Sequence, residues 1–403
     1  MATEYTCIIK EDGSGRYTSA KTWWANNECN LTANTTLVFA HGGTNGNPSD
    51  GSSVLGYTSG SSGTLKSCTN TQALVTLITG NFQASESVKV IGATQDNFTL
   101  SDTGDSAIAV GEIQGSWASP ESGEWRLDGF VTNPTNYIKV YATGDAKHNG
   151  IYSATAWRIE SISDGSAKNT VYIYTTKYAI FDGLQFKMTA QAGSSGYALY
   201  GATLNTNTQV YLNNCIIACA GNTTMYASGV RIDDADGGLL ELKNCIVQGP
   251  ATGTGNGITS TADYLNVYNS TIYGWKTGIT ESGCTTVYKN CAVFGNVTDF
   301  SNGDTIDYCA SDDTAGTNYV DLKENAGGEW AASFSDHANG DFRIKDTNSL
   351  LYEEGTDLSG VGITDDIIGT SRPQNTNWDI GAFELIFESP PAASARRRMF
   401  IMG

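Results

Sequence analysis

Five aspartates are the side chains best placed to do chemistry: Asp233, Asp234 and Asp236 in Ile232-Asp-Asp-Ala-Asp-Gly237, and the adjacent pair Asp312 and Asp313. Glu353 and Glu354 form a further acidic pair. Clustered carboxylates on one exposed face can cleave polysaccharide. Hydrolysis takes two of them about 5 to 9.5 Å apart, and a lyase takes a base, commonly beside a cation that neutralises the sugar acid. The first cluster reads equally as a turn, or as a weak calcium loop without the glutamate and spacing of an EF-hand. His41, His148 and His337 are scattered beside turn residues and form no nucleophile or metal set; HExxH and GxSxG patterns are absent. None of the nine cysteines sits in a CxxC pair, which argues against zinc. No metal and no cofactor are expected. Trp275 and Tyr264 could stack on sugars, although such residues more often pack against their own strands.

The elements that would position these groups are written as a repeat. Val210-Tyr-Leu-Asn-Asn-Cys-Ile-Ile217, Leu240-Glu-Leu-Lys-Asn-Cys-Ile-Val247, Leu265-Asn-Val-Tyr-Asn-Ser-Thr-Ile272 and Thr286-Val-Tyr-Lys-Asn-Cys-Ala-Val293 align with one another. Their asparagines, Asn214, Asn244, Asn269 and Asn290, stand 30, 25 and 21 residues apart. A second marker, at Gly229, Gly257 and Gly278, precedes the next asparagine by 15, 12 and 12 residues. Units of this length holding short alternating strands match single coils of a parallel β-helix, each strand stacked on its counterpart. The asparagines then form a structural ladder at a corner, where Asn tolerates the left-handed conformation. Cys215, Cys245 and Cys291 occupy matching positions, as small buried thiols would, so reduced cysteines are expected rather than a disulfide framework. The loop that lengthens one interval to 15 carries the first aspartate cluster, and insertions on a solenoid are where function tends to sit.

Composition agrees with strands and tight corners. The 403 residues include 46 glycines, about 11% against a usual ~7%, with 20 Tyr and only 7 Pro. Charged residues are 16% and the net charge is −19, which excludes a disordered chain and, for want of a basic face, nucleic acid as partner. No apolar run approaches the length of a membrane span, and the opening residues lack the charged and apolar regions of a secretion signal. Ser87–Ile91, Tyr137–Tyr141 and Thr170–Tyr174 read as earlier, irregular coils, and Tyr178–Phe186 as one in register. Around Tyr17–Asn27 a helix is expected, capped by Ser19 and lidding the first coil with Trp23 and Trp24.

These coils resemble the right-handed parallel β-helix of pectate-lyase-like proteins, of the type encoded by phages and environmental sequences. The resemblance extends to Asp341-Phe-Arg-Ile-Lys345, Asp366-Ile-Ile-Gly-Thr-Ser-Arg-Pro373 and Asp379-Ile-Gly-Ala-Phe-Glu384, similar to the cap that closes such chains. It implies structural roles for Asp366, Arg372, Pro373, Asp379, Gly381 and Glu384, with Arg372 pairing to Asp366 or Asp379 and Phe383 entering the last coil. The expected fold is therefore all-β: a single-stranded right-handed parallel β-helix with a short N-terminal capping helix and a C-terminal cap. The expected divisions are 1–175 (N-terminal cap and irregular first coils), 176–335 (regular coils), 336–388 (C-terminal cap) and 389–403. The last is a Pro/Ala/Ser linker ending in Arg396, Arg397 and Arg398, read as a flexible basic docking tail.

A stiff solenoid with no catalytic set, no signal and a docking tail points to a structural, surface-exposed phage virion protein, on the capsid or the tail, assembled in the host cytoplasm. Its expected partners are further copies in a homotrimer, other virion proteins and host surface glycans, without membrane insertion. The alternatives are a tailspike-like polysaccharide depolymerase using the five aspartates, and an extracellular bacterial adhesin.

Overall fold

The computed structural model describes residues 2–44, 48–92, 96–164, 167–174, 176–191, 194–201, 208–221, 226–233, 237–250, 254–313, 316–322 and 329–386. The chain is all-β, 48% strand and 6% helix, with extensive parallel sheets. From Asp105 to Ser311 three sheets are built together, because the chain visits them in rotation and each strand up to Ala292–Phe294 pairs in parallel with the strand three positions later. The first sheet includes Ile138–Ala142, Tyr178–Asp182, Gln209–Asn213, Leu239–Lys243, Tyr264–Tyr268 and Thr285–Lys289. The second runs from Trp125–Leu127 through Lys168–Ile173, Ser195–Gly201, Tyr226–Ile232, Asn256–Ser260 and Thr277–Glu281 to Thr298–Phe300. The third includes Gln185–Ala190, Ile216–Gly221, Ile246–Gln248, Thr271–Tyr273, Ala292–Phe294 and Ala310–Ser311.

Alternation places every second side chain of a strand inside, and register stacks like on like. Val140, Phe181, Leu212, Leu242, Val267 and Tyr288 make one continuous buried column in the first sheet. Phe186, Ile217, Val247, Ile272 and Val293 do so in the third. Between them the chain turns a corner at Asn214, Asn244, Asn269 and Asn290, whose φ angles are 52°, 52°, 44° and 53°. Left-handed backbone costs ordinary residues about 1–2 kcal/mol and Asn less, so the repeated asparagine has a conformational cause. Cys215, Cys245 and Cys291 follow at the next position, fully buried, and all nine cysteines are free thiols.

The segment before Asp105 departs from the expected coils. Strand β1 (Thr3–Ile9) pairs in parallel with β8 (Asp105–Ile113), and between them the chain makes six strands: β2 (Leu37–Thr44), β3 (Ser53–Gly56), β4 (Ser62–Cys68), β5 (Gln72–Thr79), β6 (Ser87–Val90) and β7 (Asp96–Leu100). They pair antiparallel in the order β2-β5-β4-β3-β6-β7, and β7 returns to β2, closing a barrel. Phe39, Val54, Leu65, Val75, Phe82, Val88, Phe98 and Leu100 fill it. The strand at Ser87, expected as an early coil, is thus a barrel stave. Period-two alternation is the same in parallel and antiparallel strands and cannot distinguish them.

Helix α1 (Ala20–Asn27) begins as expected at Ser19, whose side chain accepts from Thr22 N at 3.2 Å. The Glu121 carboxylate also accepts from Ala20 N at 2.7 Å. Trp23 and Trp24 are buried and meet Phe130, and Trp24 also meets Trp125 at the first rungs of the stack.

The described part of the C-terminal segment packs along the side of the stack. After helix α2 (Glu329–Ser333) and a short antiparallel pair, Phe334–Asp336 with Asp341–Ile344, the chain runs back along the outside of the stack. Ile367, Ile380, Ala382 and Phe383 cover Ile216, Ile246, Ala292 and Phe294 of the third sheet, while Leu358, Ile363 and Trp378 cover Tyr268 of the first. A Cβ on Gly150, near the opposite end, would stand 2.4 Å from Phe383, so Phe383 packs against early rungs and not the last coil.

Candidate functional site

Among the described residues, Asp233 is not brought to Asp312 and Asp313. Asp233 follows a second-sheet strand, whereas Asp312 and Asp313 follow the third-sheet strand Ala310–Ser311, beyond the last second-sheet strand. At least three ladder steps, roughly 14 Å at ~4.8 Å each, separate their rungs, more than a paired-acid glycosidase uses. Asp234 and Asp236 lie outside the described residues.

Asp312 and Asp313 gather instead around Asp299, a fully buried residue that nothing in the sequence marks. One Asp299 oxygen accepts from Ser311 Oγ at 2.7 Å, Asp312 N at 2.7 Å and Asp313 N at 3.3 Å; the other accepts from Asn296 Nδ2 at 2.9 Å. Asp313 accepts in return from Asp299 N at 2.7 Å. The Asp312 oxygens accept from Gly295 N at 2.9 Å and Trp330 Nε1 at 2.8 Å. Burial, reinforced by the neighbouring Asp299 and Asp313, pushes the Asp312 carboxyl up to about 7 despite those donors. A general acid needs a proton aimed at a substrate. Here both oxygens already receive donors from the protein, so the cluster ties two rungs together. Glu353 likewise accepts from Thr376 N and Asn377 N, at the edge of an open cleft of about 390 Å³ shared with Tyr308, Glu354, Asp357 and Trp378.

The structure does bring one His and one Cys together. His41 Nε2 lies 3.4 Å from Cys68 Sγ inside the barrel. The other ring nitrogen, Nδ1, accepts from Gly43 N at 3.2 Å, which leaves the proton on Nε2 facing the sulfur. Such an imidazole donates to the thiol and cannot take its proton, and burial holds the Cys68 thiol up at about 12. His148 is fixed the same way, with Nδ1 accepting from Gly150 N and Nε2 donating to the Asn214 carbonyl at 2.8 Å. Burial lowers its pKa to about 4. Among the described residues no three His, Cys, Asp or Glu side chains converge as a metal site would require.

The cap residues are structural in a different way from the expected one. Arg372 is fully buried and its Nη1 pairs with Glu384 at 3.1 Å, not with Asp366 or Asp379. Nη1 also donates to the Asp379 carbonyl and Nη2 to the Gly381 carbonyl, both at 2.9 Å. Asp366 accepts from Thr370 N and Glu384 N, and Asp379 from Glu353 N and Leu385 N. Burial, with Glu384 beside it, pushes Asp379 up to about 7. Pro373 follows a cis peptide, and Gly381, at φ +98°, lets the chain approach Thr271. The ladder is locked to this segment. Asn290 accepts from Thr356 N and donates to its carbonyl, and Asn244 donates to the Asp365 carbonyl and to Asn214 Oδ1. Arg396, Arg397 and Arg398 lie outside the described residues.

What remains is an outer face that sequence reasoning did not assemble. Among the described residues, the C-terminal segment packs on the first and third sheets and not on the second. Register places Arg126, Tyr172, Tyr200, Arg231, Thr259 and Thr280 in one outward row. Tyr172 and Tyr200 stack with centroids 5.7 Å apart and planes 11° apart, and Tyr197 stacks on Tyr200 at 4.9 Å. A guanidinium closes each end: Arg126 lies 4.4 Å from the Tyr174 ring centre, and Arg231 lies 5.7 Å from that of Tyr197. Each arginine is held by a carboxylate, Arg126 by Asp128 at 2.7 Å and Arg231 by Asp233 at 2.8 Å. Asp233 also accepts from Tyr200 Oη at 3.2 Å. The only advance signal was Tyr172 and Tyr174 alternating in one strand; their partners lie some 30 and 60 residues on. Trp275, considered beforehand for sugar stacking, is buried, whereas Tyr264 is half exposed on the first sheet.

Comparison with known proteins returned no matching family model, no similar curated protein and no similar solved structure, and with the closed antiparallel barrel this overturns the likeness to pectate-lyase-like phage proteins drawn from the repeat.

Proposed function

We propose that the stacked part of the chain winds as one right-handed parallel β-helix, and that the protein is a non-catalytic structural component exposed on the surface of a phage particle. The pairing of each strand from Asp105–Ile113 to Ala292–Phe294 with the third one following supports the winding. Connections between parallel strands of one sheet are right-handed in about 98% of cases, which supports its hand. The observation that carries the non-catalytic reading is the use of the described candidate acids. Asp312, Asp313 and Glu353 each accept from the chain's own backbone, and Asp233 holds Arg231.

A rod with its C-terminal segment laced along its side presents few loose edges, which suits an exposed structural part. Purified particles of a phage encoding this chain should yield its peptides by mass spectrometry. The isolated protein should release neither reducing ends nor unsaturated sugars from capsular polysaccharide. Absence from the particles, or saccharide release that is lost in Asp312→Asn, overturns the assignment.

A further inference from the structure

We propose that the open face of the second sheet, centred on Tyr172, Tyr197, Tyr200 and Arg231, binds a neutral glycan. Three properties of the face select that ligand. The first is its hydrogen-bonding character. The stacked rings turn their faces to one another, so they offer edges and hydroxyls, and a tyrosine hydroxyl both donates and accepts. Beside them, each guanidinium–carboxylate pair sets donors next to acceptors, an arrangement that adjacent sugar hydroxyls match.

The second is charge. Arg126 with Asp128 and Arg231 with Asp233 leave the patch balanced, on a chain whose net charge is −19. An acidic glycan finds no uncompensated cation in these pairs and meets the field of the whole molecule, whereas a neutral one meets no such barrier. The third is size. From the rung of Arg126 to that of Arg231 is three ladder steps, roughly 14 Å, and the width is about five strand residues, giving on the order of 250 Å². A stable protein partner needs about 800 Å² per side, so a second copy of the chain is poorly matched and a short saccharide stretch is well matched.

The inference rests on the non-catalytic reading above, and one experiment separates them. The full chain is applied to an array of neutral and uronate- or sialate-bearing bacterial polysaccharides. A retained glycan is then titrated calorimetrically against the wild type, Tyr200→Phe, Tyr200→Ala, Arg231→Ala and, as a remote control, Tyr264→Ala. Retention of a neutral glycan is expected, with affinity at least tenfold weaker in Tyr200→Ala and Arg231→Ala, weakened less in Tyr200→Phe, and unchanged in Tyr264→Ala. No retention of any neutral glycan, preference for acidic ones, or equal affinity in the wild type and both alanine variants overturns the site. If the bound glycan is also cut, the non-catalytic reading fails while the site stands. If nothing is bound or cut, the site fails while the structural reading stands.

Discussion

The second and third sheets share one backbone plan and one ladder spacing, yet among the described residues the C-terminal segment covers the third and not the second. Outward on the third sheet stand Ile216, Ile246, Ala292 and Phe294, and the returning C-terminal segment buries them under Ile367, Ile380, Ala382 and Phe383. Outward on the second stand Arg126, Tyr172, Tyr200, Arg231, Thr259 and Thr280, which can remain in water. Parallel sheets are ordinarily covered on both faces. A solenoid covers the inner face with its own interior, so the outer side chains alone decide whether a further layer must be found.

The contrast is sharpest in two arginine–carboxylate pairs. Arg372→Ala strands Glu384 in the buried C-terminal segment, and breaking a buried pair in this way costs about 3–5 kcal/mol, to be read from denaturant unfolding. Next in size, Asn290→Ala removes two hydrogen bonds to Thr356 and a residue suited to φ +53°, for a loss of about 2–3 kcal/mol on the covered side. An opposite sign is expected one rung further, where Tyr308 occupies the ladder position at φ +52°. Tyr308→Asn should raise stability by about 0.5–1 kcal/mol, and a lower midpoint would show that the tyrosine's contacts outweigh its backbone cost.

Acidity probes the rung tie between the two sheets. Asp312 has a folded pKa of about 7, raised above its ordinary value, so its contribution is fully present below about pH 4 and is lost as pH rises through 7. Melting temperatures followed from pH 4 to 8 should therefore fall less steeply in Asp312→Asn than in the wild type, with the Asp379 titration remaining in both. The smallest effect is expected on the open face. Arg231→Ala breaks a partly exposed pair and should change stability by less than about 1 kcal/mol. A loss as large as that of Arg372→Ala would erase the distinction between the faces.

Much of the stack was legible because its cause is local. Asn214, Asn244, Asn269 and Asn290 each serve their own corner, so the marker returns wherever the corner does. Where another residue tolerates that corner, the marker vanishes, as at Gly183 and Tyr308. The barrel was misread because Ser87–Val90 alternates as any half-buried strand does, and the sign of its pairing is settled by β3 and β7. Asp299 was missed because a single buried acid has no pattern, and Asp312 and Asp313 looked catalytic because acids serving as turn acceptors have the same spacing as acids serving chemistry.

The amino-acid order determined an all-β chain with stacked coils through its middle, a buried column of thiols and a capped helix near the start, since strand alternation, corner conformation and helix capping are properties of a few neighbouring residues. Tertiary structure alone decided that the segment before the stack closes into a barrel, that the C-terminal segment lies along the side, and that Tyr172, Tyr200 and Arg231 share a face. Those outcomes depend on register between strands tens to hundreds of residues apart, and a one-residue slip would have turned each of those side chains inward.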